Sequence, residues 1–336
     1  MRASPFLQRY GIVGPLFVND VSSRMEVSMR TRIAVIGAGM VGGTCAQRLA
    51  ERGYADVVLL DIVEGLARGK ALDIQESLPV AGSDAKVIGT SSYDDVRGAA
   101  VVVVTSGIAR KPGMTREDLV MTNAKVVRDV CENVARMAPD SIIVMVTNPL
   151  DAMVQLAQQV TGMDRTRVIG QSGVLDSARL RTFIAEELNV SVSSVSAYIL
   201  GGHGNTMVAL PRLSSVGGVP LVDLLPRERI AALVDRAVNG GAEVVQLLKT
   251  GSAFYAPAAS AVSMVDAIVL DKKEILPCAI RLEGEYGIRG TVVGVPVKLG
   301  AEGVEQVLQL ELTPEEQDAL LKSAAAVRET VAIMGI

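Results

Sequence analysis

Arg32-Ile33-Ala34-Val35-Ile36-Gly37-Ala38-Gly39-Met40-Val41-Gly42 is the stretch that decides the fold. A short apolar run of strand type passes straight into three glycines spaced G-x-G-x-x-G. That spacing alone is weak evidence, so its surroundings must carry the reading. A helical pattern follows at Thr44–Arg52 and ends near Gly53, and Asp56-Val57-Val58-Leu59-Leu60-Asp61 is a second strand closing on an acid. Strand, glycine turn, helix, and an acid about 20 residues on make up a dinucleotide-binding unit. Gly37 permits the tight turn, Gly39 lets backbone approach a pyrophosphate, and Gly42 lets helix and strand pack closely. The helix start offers free N–H groups and its positive dipole end to phosphates. Asp61 can accept hydrogen bonds from both ribose hydroxyls and would repel a 2′-phosphate, so NAD is expected rather than NADP.

The alternation continues outward from this unit. A helix is expected from about Val63 to Leu78, stopping at Pro79, then strands at Lys86–Gly89 and Ala99–Thr105. The second of these holds four consecutive valines, the composition of a parallel strand buried on both faces. A loop at Gly107–Met114 leads to a helix over about Thr115–Met137, with Thr115 and Asp118 spaced as a capping pair, and Ser141–Val146 is a fifth strand. This order predicts a Rossmann-type, doubly wound parallel sheet with right-handed crossovers.

After Pro149 the pattern becomes that of an α+β domain. Helices are expected near Leu150–Val160, Val174–Leu188, Pro226–Thr250 and Ala256–Leu270, with strands near Val195–Leu200, Cys278–Leu282 and Thr291–Val297. Thr313-Pro314-Glu315-Glu316 opens a last amphipathic helix. The domain boundary falls within Asn148–Gly173, giving a cofactor domain at 31–150 and a substrate and catalytic domain at 151–336. Residues 1–30 lack a sustained period, contain Pro5 and Pro15, and have no signal-type apolar core, so they read as a disordered N-terminal extension rather than a targeting segment.

Composition narrows the function classes. The chain has 336 residues, 49% hydrophobic and 21% charged, with no Trp and four Phe, so its core must be aliphatic. A net charge of −4 without a basic block argues against nucleic acid as the main partner. No run of 18 apolar residues marks a membrane span. Cys45, Cys131 and Cys278 are sparse and lack C-x-x-C spacing, which fits a reducing, cytoplasmic setting and no structural metal site.

The sequence contains one histidine, His203, set in Gly201-Gly202-His203-Gly204 after an apolar run. Nicotinamide chemistry moves a hydride, so a proton must move on the oxygen of the same carbon, and histidine titrates in the right range. A carboxylate on its other ring nitrogen would fix the tautomer. Asp176 is the candidate, and Arg179, three residues on, shares its helix face and can meet an anionic substrate. The loop from Thr105 to Arg116 leaves the C-terminal end of the fourth strand, where open α/β sheets bind ligands. Gly107, Pro112 and Gly113 suit a mobile lid, and its three cations, Arg110, Lys111 and Arg116, suit an anion. Asn148 ends the fifth strand on the same edge.

Taken together, I-G-A-G-M-V-G at Ile36–Gly42, A-R-K-P-G-M-T-R at Ala109–Arg116, V-T-N-P at Val146–Pro149, L-D-S-A-R at Leu175–Arg179 and G-G-H-G at Gly201–Gly204 resemble the lactate/malate dehydrogenase family. The resemblance is closest to the malate dehydrogenases that are lactate-dehydrogenase-like, and it runs from about Thr31 to the C-terminus. It implies His203 as proton relay with Asp176 as partner, Arg179 on the C1 carboxylate, and Arg116 polarising the reacting carbonyl once the lid closes. It also implies Asn148 bonding the substrate oxygen or the adjacent cofactor, and NAD held by Gly37, Gly39, Met40, Val41, Gly42, Asp61, Asn123, Val146 and Asn148. Arg110 stands where the malate enzymes differ from the lactate enzymes, and Ser252 and Ala253 are small enough to admit a four-carbon diacid. A homodimer or homotetramer is the expected assembly. The extension at 1–30 is the departure from the family pattern.

A carboxylate buried without a partner costs several kcal/mol, whereas a guanidinium fork satisfies it, so Arg110 points to malate and oxaloacetate. The readings set against this are a lactate or other 2-hydroxyacid dehydrogenase, and a catalytically silent NAD-binding protein. The second leaves His203, Asp176, Arg179, Arg116 and Asn148 without a role.

Overall fold

The computed structural model describes residues 30–109 and 113–336. The expected extension (apart from Arg30) and the expected substrate residue Arg110 lie outside the described residues, as do Lys111 and Pro112. In chain order the first half runs β1 (Thr31–Ile36), α1 (Met40–Arg52), β2 (Ala55–Leu60), α2 (Glu64–Ala81), β3 (Val87–Thr90), β4 (Val101–Val104), α3 (Arg116–Met137), β5 (Ile142–Met145), α4 (Leu150–Thr161) and β6 (Val168–Gly170). It continues with α5 (Gly173–Leu188), β7 (Val195–Ser196), β8 (Ile199–Leu200), β9 (Val208–Ala209), β10 (Ser215–Val216), β11 (Val219–Pro220), α6 (Leu221–Leu224), α7 (Arg227–Leu248) and α8 (Tyr255–Val269). β12 (Glu274–Glu283), β13 (Arg289–Gly300), β14 (Gly303–Val307) and α9 (Pro314–Ala332) complete it.

The strands β3-β2-β1-β4-β5-β6 lie side by side in that order, every pair parallel. This is the doubly wound arrangement, whose order reverses between β1 and β4 and leaves a ligand crevice at their C-terminal ends. The sheet then continues antiparallel through β12, β13 and β14, so it is mixed as a whole. Period-2 alternation sets its two faces. Val101 and Val103 pack with Cys45 and Leu49 of α1 and with Val262 of α8, while Val102 and Val104 pack with Val127 of α3 and Met153 of α4. All four valines are fully buried, as expected of a strand covered by helices on both sides. A third cluster joins Leu180 and Ile184 of α5 to Ile230 and Leu233 of α7 beneath Ile199 of β8.

Three local expectations change. Helix α1 begins at Met40 rather than Thr44: Gly42 and Gly43, poor helix formers, sit inside its first turn and hide that turn from the sequence pattern. Helix α2 runs through Pro79 to Ala81. Pro79 forfeits its own i→i−4 bond to the Gln75 carbonyl, but only two helical residues follow it before Gly82 closes the helix in the left-handed region by donating to Leu78. The single strand expected over 195–200 is two pieces in different sheets: β7 pairs with β10, β8 with β9.

No helix among the described residues is long and apolar enough to cross a membrane. Both predicted caps form as capping boxes: Thr115 with Asp118 opens α3, and Thr313 with Glu316 opens α9. Replacing Thr313 by Ala removes a side-chain acceptor from the Glu316 N–H and should cost about 1 kcal/mol, seen as a lower urea midpoint with native secondary structure.

Candidate active site

The nucleotide end of the site follows from β1 and β2. Gly37 donates its N–H to the Leu60 carbonyl at 2.7 Å, which ties the glycine turn to the end of β2. Gly37 has a φ of +104°, and a Cβ there would lie 2.8 Å from Thr105 Oγ1. At Gly42 a Cβ would stand 1.8 Å from the Gly37 carbonyl oxygen, so the close packing of turn and helix needs glycine. A Cβ at Gly39, by contrast, would meet nothing within 4 Å among the described residues. Helix α1 has no side-chain cap and no acid in its first turn, leaving its first N–H groups and positive dipole end open to an anion. The half-buried Asp61 accepts from Ala38 N–H at 2.7 Å and from Val63 N–H at 3.0 Å, one bond to each oxygen. Each oxygen keeps a lone pair for a hydroxyl. These features fit a dinucleotide diphosphate and its ribose.

A groove of about 500 Å³ runs past Gly39, Met40, Val41, Gly42, Val146 and Asn148. A second cavity of about 340 Å³ is lined by His203, Arg179, Gln171, Asn148, Ser252 and Ala253. Val41, Val146, Asn148 and Ser252 line both, so groove and cavity share a wall.

His203 reaches the second cavity from the loop between β8 and β9. That loop is held at its base by paired backbone bonds between Gly201 and Gly294 of β13, 2.9 and 3.0 Å, with Gly201 at φ +88°. The close approach to β13 and the left-handed φ are why the motif begins with glycine. Helix α5 brings Asp176, which is 1% exposed, against the ring: Asp176 Oδ2 lies 2.9 Å from His203 Nδ1. The other oxygen, Oδ1, accepts from Arg179 at 3.3 Å. Asp176 thus fixes which ring nitrogen carries the proton and leaves Nε2 for chemistry. Burial pulls the ring's pKa down, but the charge and hydrogen bond of Asp176, with the charge of Asp151 behind them, outweigh it against Arg179. The net effect holds His203 above the ordinary histidine range. Arg179 lies across α7, where a Cβ at Gly240 would come within 3.0 Å of its Cδ and one at Gly241 within 3.5 Å of its Nη2. Two glycines inside a helix cost stability, and here they make room for the guanidinium.

His203, Asp176, Arg179 and Asn148 therefore come together. Arg116 does not join them in this structure: it opens α3 and donates to Thr330 Oγ1 on α9. Asn123 is buried behind the groove, where its amide bonds the Ile108 backbone twice and the Asn148 carbonyl at 2.7 Å. It acts on the loops that line the groove. Sequence reasoning passed over Asp151, Gln171 and Thr330. An acid in the first turn of α4 reads as an ordinary dipole partner, and nothing local marks Thr330 as the partner of Arg116.

Residues 31–170 match the model of the lactate/malate dehydrogenase NAD binding domain, and residues 173–333 that of the family's alpha/beta C-terminal domain. The chain belongs to the lactate/malate dehydrogenase family, and the cofactor of its first domain is NAD. Among curated relatives it is 53% identical to the malate dehydrogenase of Heliobacterium modesticaldum over 307 residues, covering 91% of this chain and 99% of that one. Among solved structures it resembles the malate dehydrogenase of Picrophilus torridus in its apo form, at 47% identity and a TM-score of 0.88, covering 90% of this chain and 97% of that one. The lactate dehydrogenase of Cryptosporidium parvum, solved with lactic acid and β-nicotinamide adenine dinucleotide, matches with 43% identity and a TM-score of 0.88 over 91% of this chain and 98% of that one.

Substituting Ala for Gly42 forces the glycine turn away from α1, so NADH affinity should fall at least about tenfold, roughly 1.4 kcal/mol, in a protein that still folds. A fluorescence titration with NADH checks this.

Proposed function

We propose that this chain is an NAD-dependent malate dehydrogenase, reversibly interconverting (S)-malate and oxaloacetate. The observation that carries the reading is the His203–Asp176 pair beside Arg179, in a cavity sharing a wall with the dinucleotide groove. The curated relative named malate dehydrogenase, matched over nearly its whole length, supports the choice of substrate.

NAD would be held by Gly37, Gly39, Met40, Val41, Gly42, Asp61 and Val146 and when bound would supply the hydride acceptor, with Asn123 fixing the loops around it. During oxidation, neutral His203 takes the hydroxyl proton at Nε2 while its Nδ1–H stays on Asp176. The imidazolium so formed is stabilised by the carboxylate it already touches. In the reverse direction the same ring returns the proton to the oxygen of oxaloacetate. Arg179 receives the C1 carboxylate as a bidentate fork. Asn148 bonds the substrate oxygen or the adjacent cofactor. Arg116 leaves Thr330 as the lid closes and polarises the carbonyl, and Arg110 pairs with the second carboxylate. Exclusion of water under the lid strengthens each of these charge contacts.

The chain divides into a cofactor domain at 31–150 and a substrate and catalytic domain at 151–336. A homodimer or homotetramer is supported by apolar side chains left exposed on α2 (Leu66, Leu72) and at the end of α7 (Val245, Leu247, Leu248). A cytoplasmic setting is supported by three buried, unpaired cysteines, whose thiols burial pushes up from their usual range.

Two measurements test the assignment. Replacing Arg110 by Gln should lower oxaloacetate turnover and raise relative pyruvate activity, since polar matching of this kind discriminates by roughly 10⁴-fold. An unchanged ratio would remove Arg110 from the site. The raised His203 pKa sets the pH dependence: oxidation needs the neutral ring, so kcat/KM for malate should rise as pH passes through that raised value. Reduction needs the protonated ring, so kcat/KM for oxaloacetate should fall over the same window.

A further inference from the structure

Asp151 lies in the first turn of α4 and is only 5% exposed. A carboxylate at a helix start ordinarily serves its own helix in solvent. This one is turned to the β8–β9 loop, where Oδ2 accepts the His203 backbone N–H at 2.8 Å. Its Oδ1 is buried and has no hydrogen-bond partner on any other described residue. A buried polar atom left unmatched is costly, and such atoms concentrate where function requires them. A Cβ at Gly202 would come within 3.4 Å of Oδ2 and 2.9 Å of Val327, so carboxylate and loop are packed closely. Ser323 of α9 also holds this loop, accepting Gly202 N–H at 2.8 Å.

We propose that Asp151 is a second positioning carboxylate of the proton relay, holding His203 by its backbone while Asp176 holds it by its ring. The inference rests on reading His203 as the relay. The two carboxylates divide the work. Asp176 selects the tautomer. Asp151 sets where the loop backbone stands, and hence where Nε2 points, and adds negative charge that favours the imidazolium. The charged groups acting on the ring are Asp176 and Arg179 from α5 and Asp151 from α4, while α9 presents the uncharged Ser323 and Val327 to the loop. Burial pushes the Asp151 carboxyl up to about 6, against the pull of the His203 charge and backbone N–H.

The test uses D151A and D151N in the full chain with NADH bound. Asn keeps an acceptor for the His203 N–H and removes the charge; Ala removes both. Because the sequence holds one histidine, histidine-selective isotope labelling gives a single ring whose titration is read directly by NMR. D151A should lower kcat on the order of 10²-fold, the cost of a displaced catalytic group, with NADH affinity unchanged. D151N should recover most of that rate, yet both its ring titration and its rising limb of malate oxidation should move to lower pH, because the imidazolium has lost a counter-charge. Native kcat in D151A, or a D151N ring titration that coincides with the native one, overturns the proposal. If D151A fails to fold, the D151N titration decides alone. H203N separates the two readings: wild-type turnover in that variant refutes the relay itself, whatever the Asp151 variants do.

Discussion

Asp176 is buried almost completely, and a carboxylate that deep is tolerable only because His203 and Arg179 share its two oxygens. The rest of the catalytic half is arranged around keeping that sharing intact. Helix α5 is docked so that Ser177 accepts the Ile199 N–H at 2.9 Å, which ties the helix carrying the acid to the strand leading to the histidine. The Gly240–Gly241 step in α7 leaves Arg179 the space to lie flat. A shift in any one of these elements would leave a charge buried without its partner, which is why the pair also fixes local geometry.

The parallel half of the fold was written plainly in the residues. Val101–Val104 divides between two cores as its composition implies, and the glycine turn and Asp61 stand where their spacing puts them. Local signals sufficed there because each element is set by periodicity and by its own neighbours in sequence. Short strands such as β9, β10 and β11, two residues each, carry no period to read. Their formation depends on partners brought from elsewhere in the chain.

The site shows the same division. His203, Asp176, Arg179 and Asn148 sit in motifs with chemical content and meet as expected. Asp151 was not legible, because its role comes from a loop 52 residues away that folds onto the start of α4. Nor was the resting place of Arg116, since Thr330 reaches it across 214 residues of chain. Such pairings are properties of the packed fold and leave no trace in local pattern.

The sheet itself limits how this enzyme can move. β12 joins β6 through Ala279 and Gly170, and one continuous apolar cluster includes Val35 and Val57 of the cofactor half with Val265 and Val293 of the other. Two halves sharing a hydrogen-bonded sheet and a common core cannot swing apart as rigid bodies without breaking both. Motion that admits a substrate therefore falls to the connections around the cavity, among them those carrying Asn148 and His203, rather than to the domain masses. Side chains on those connections can change without disturbing the sheet or the core that the two halves share.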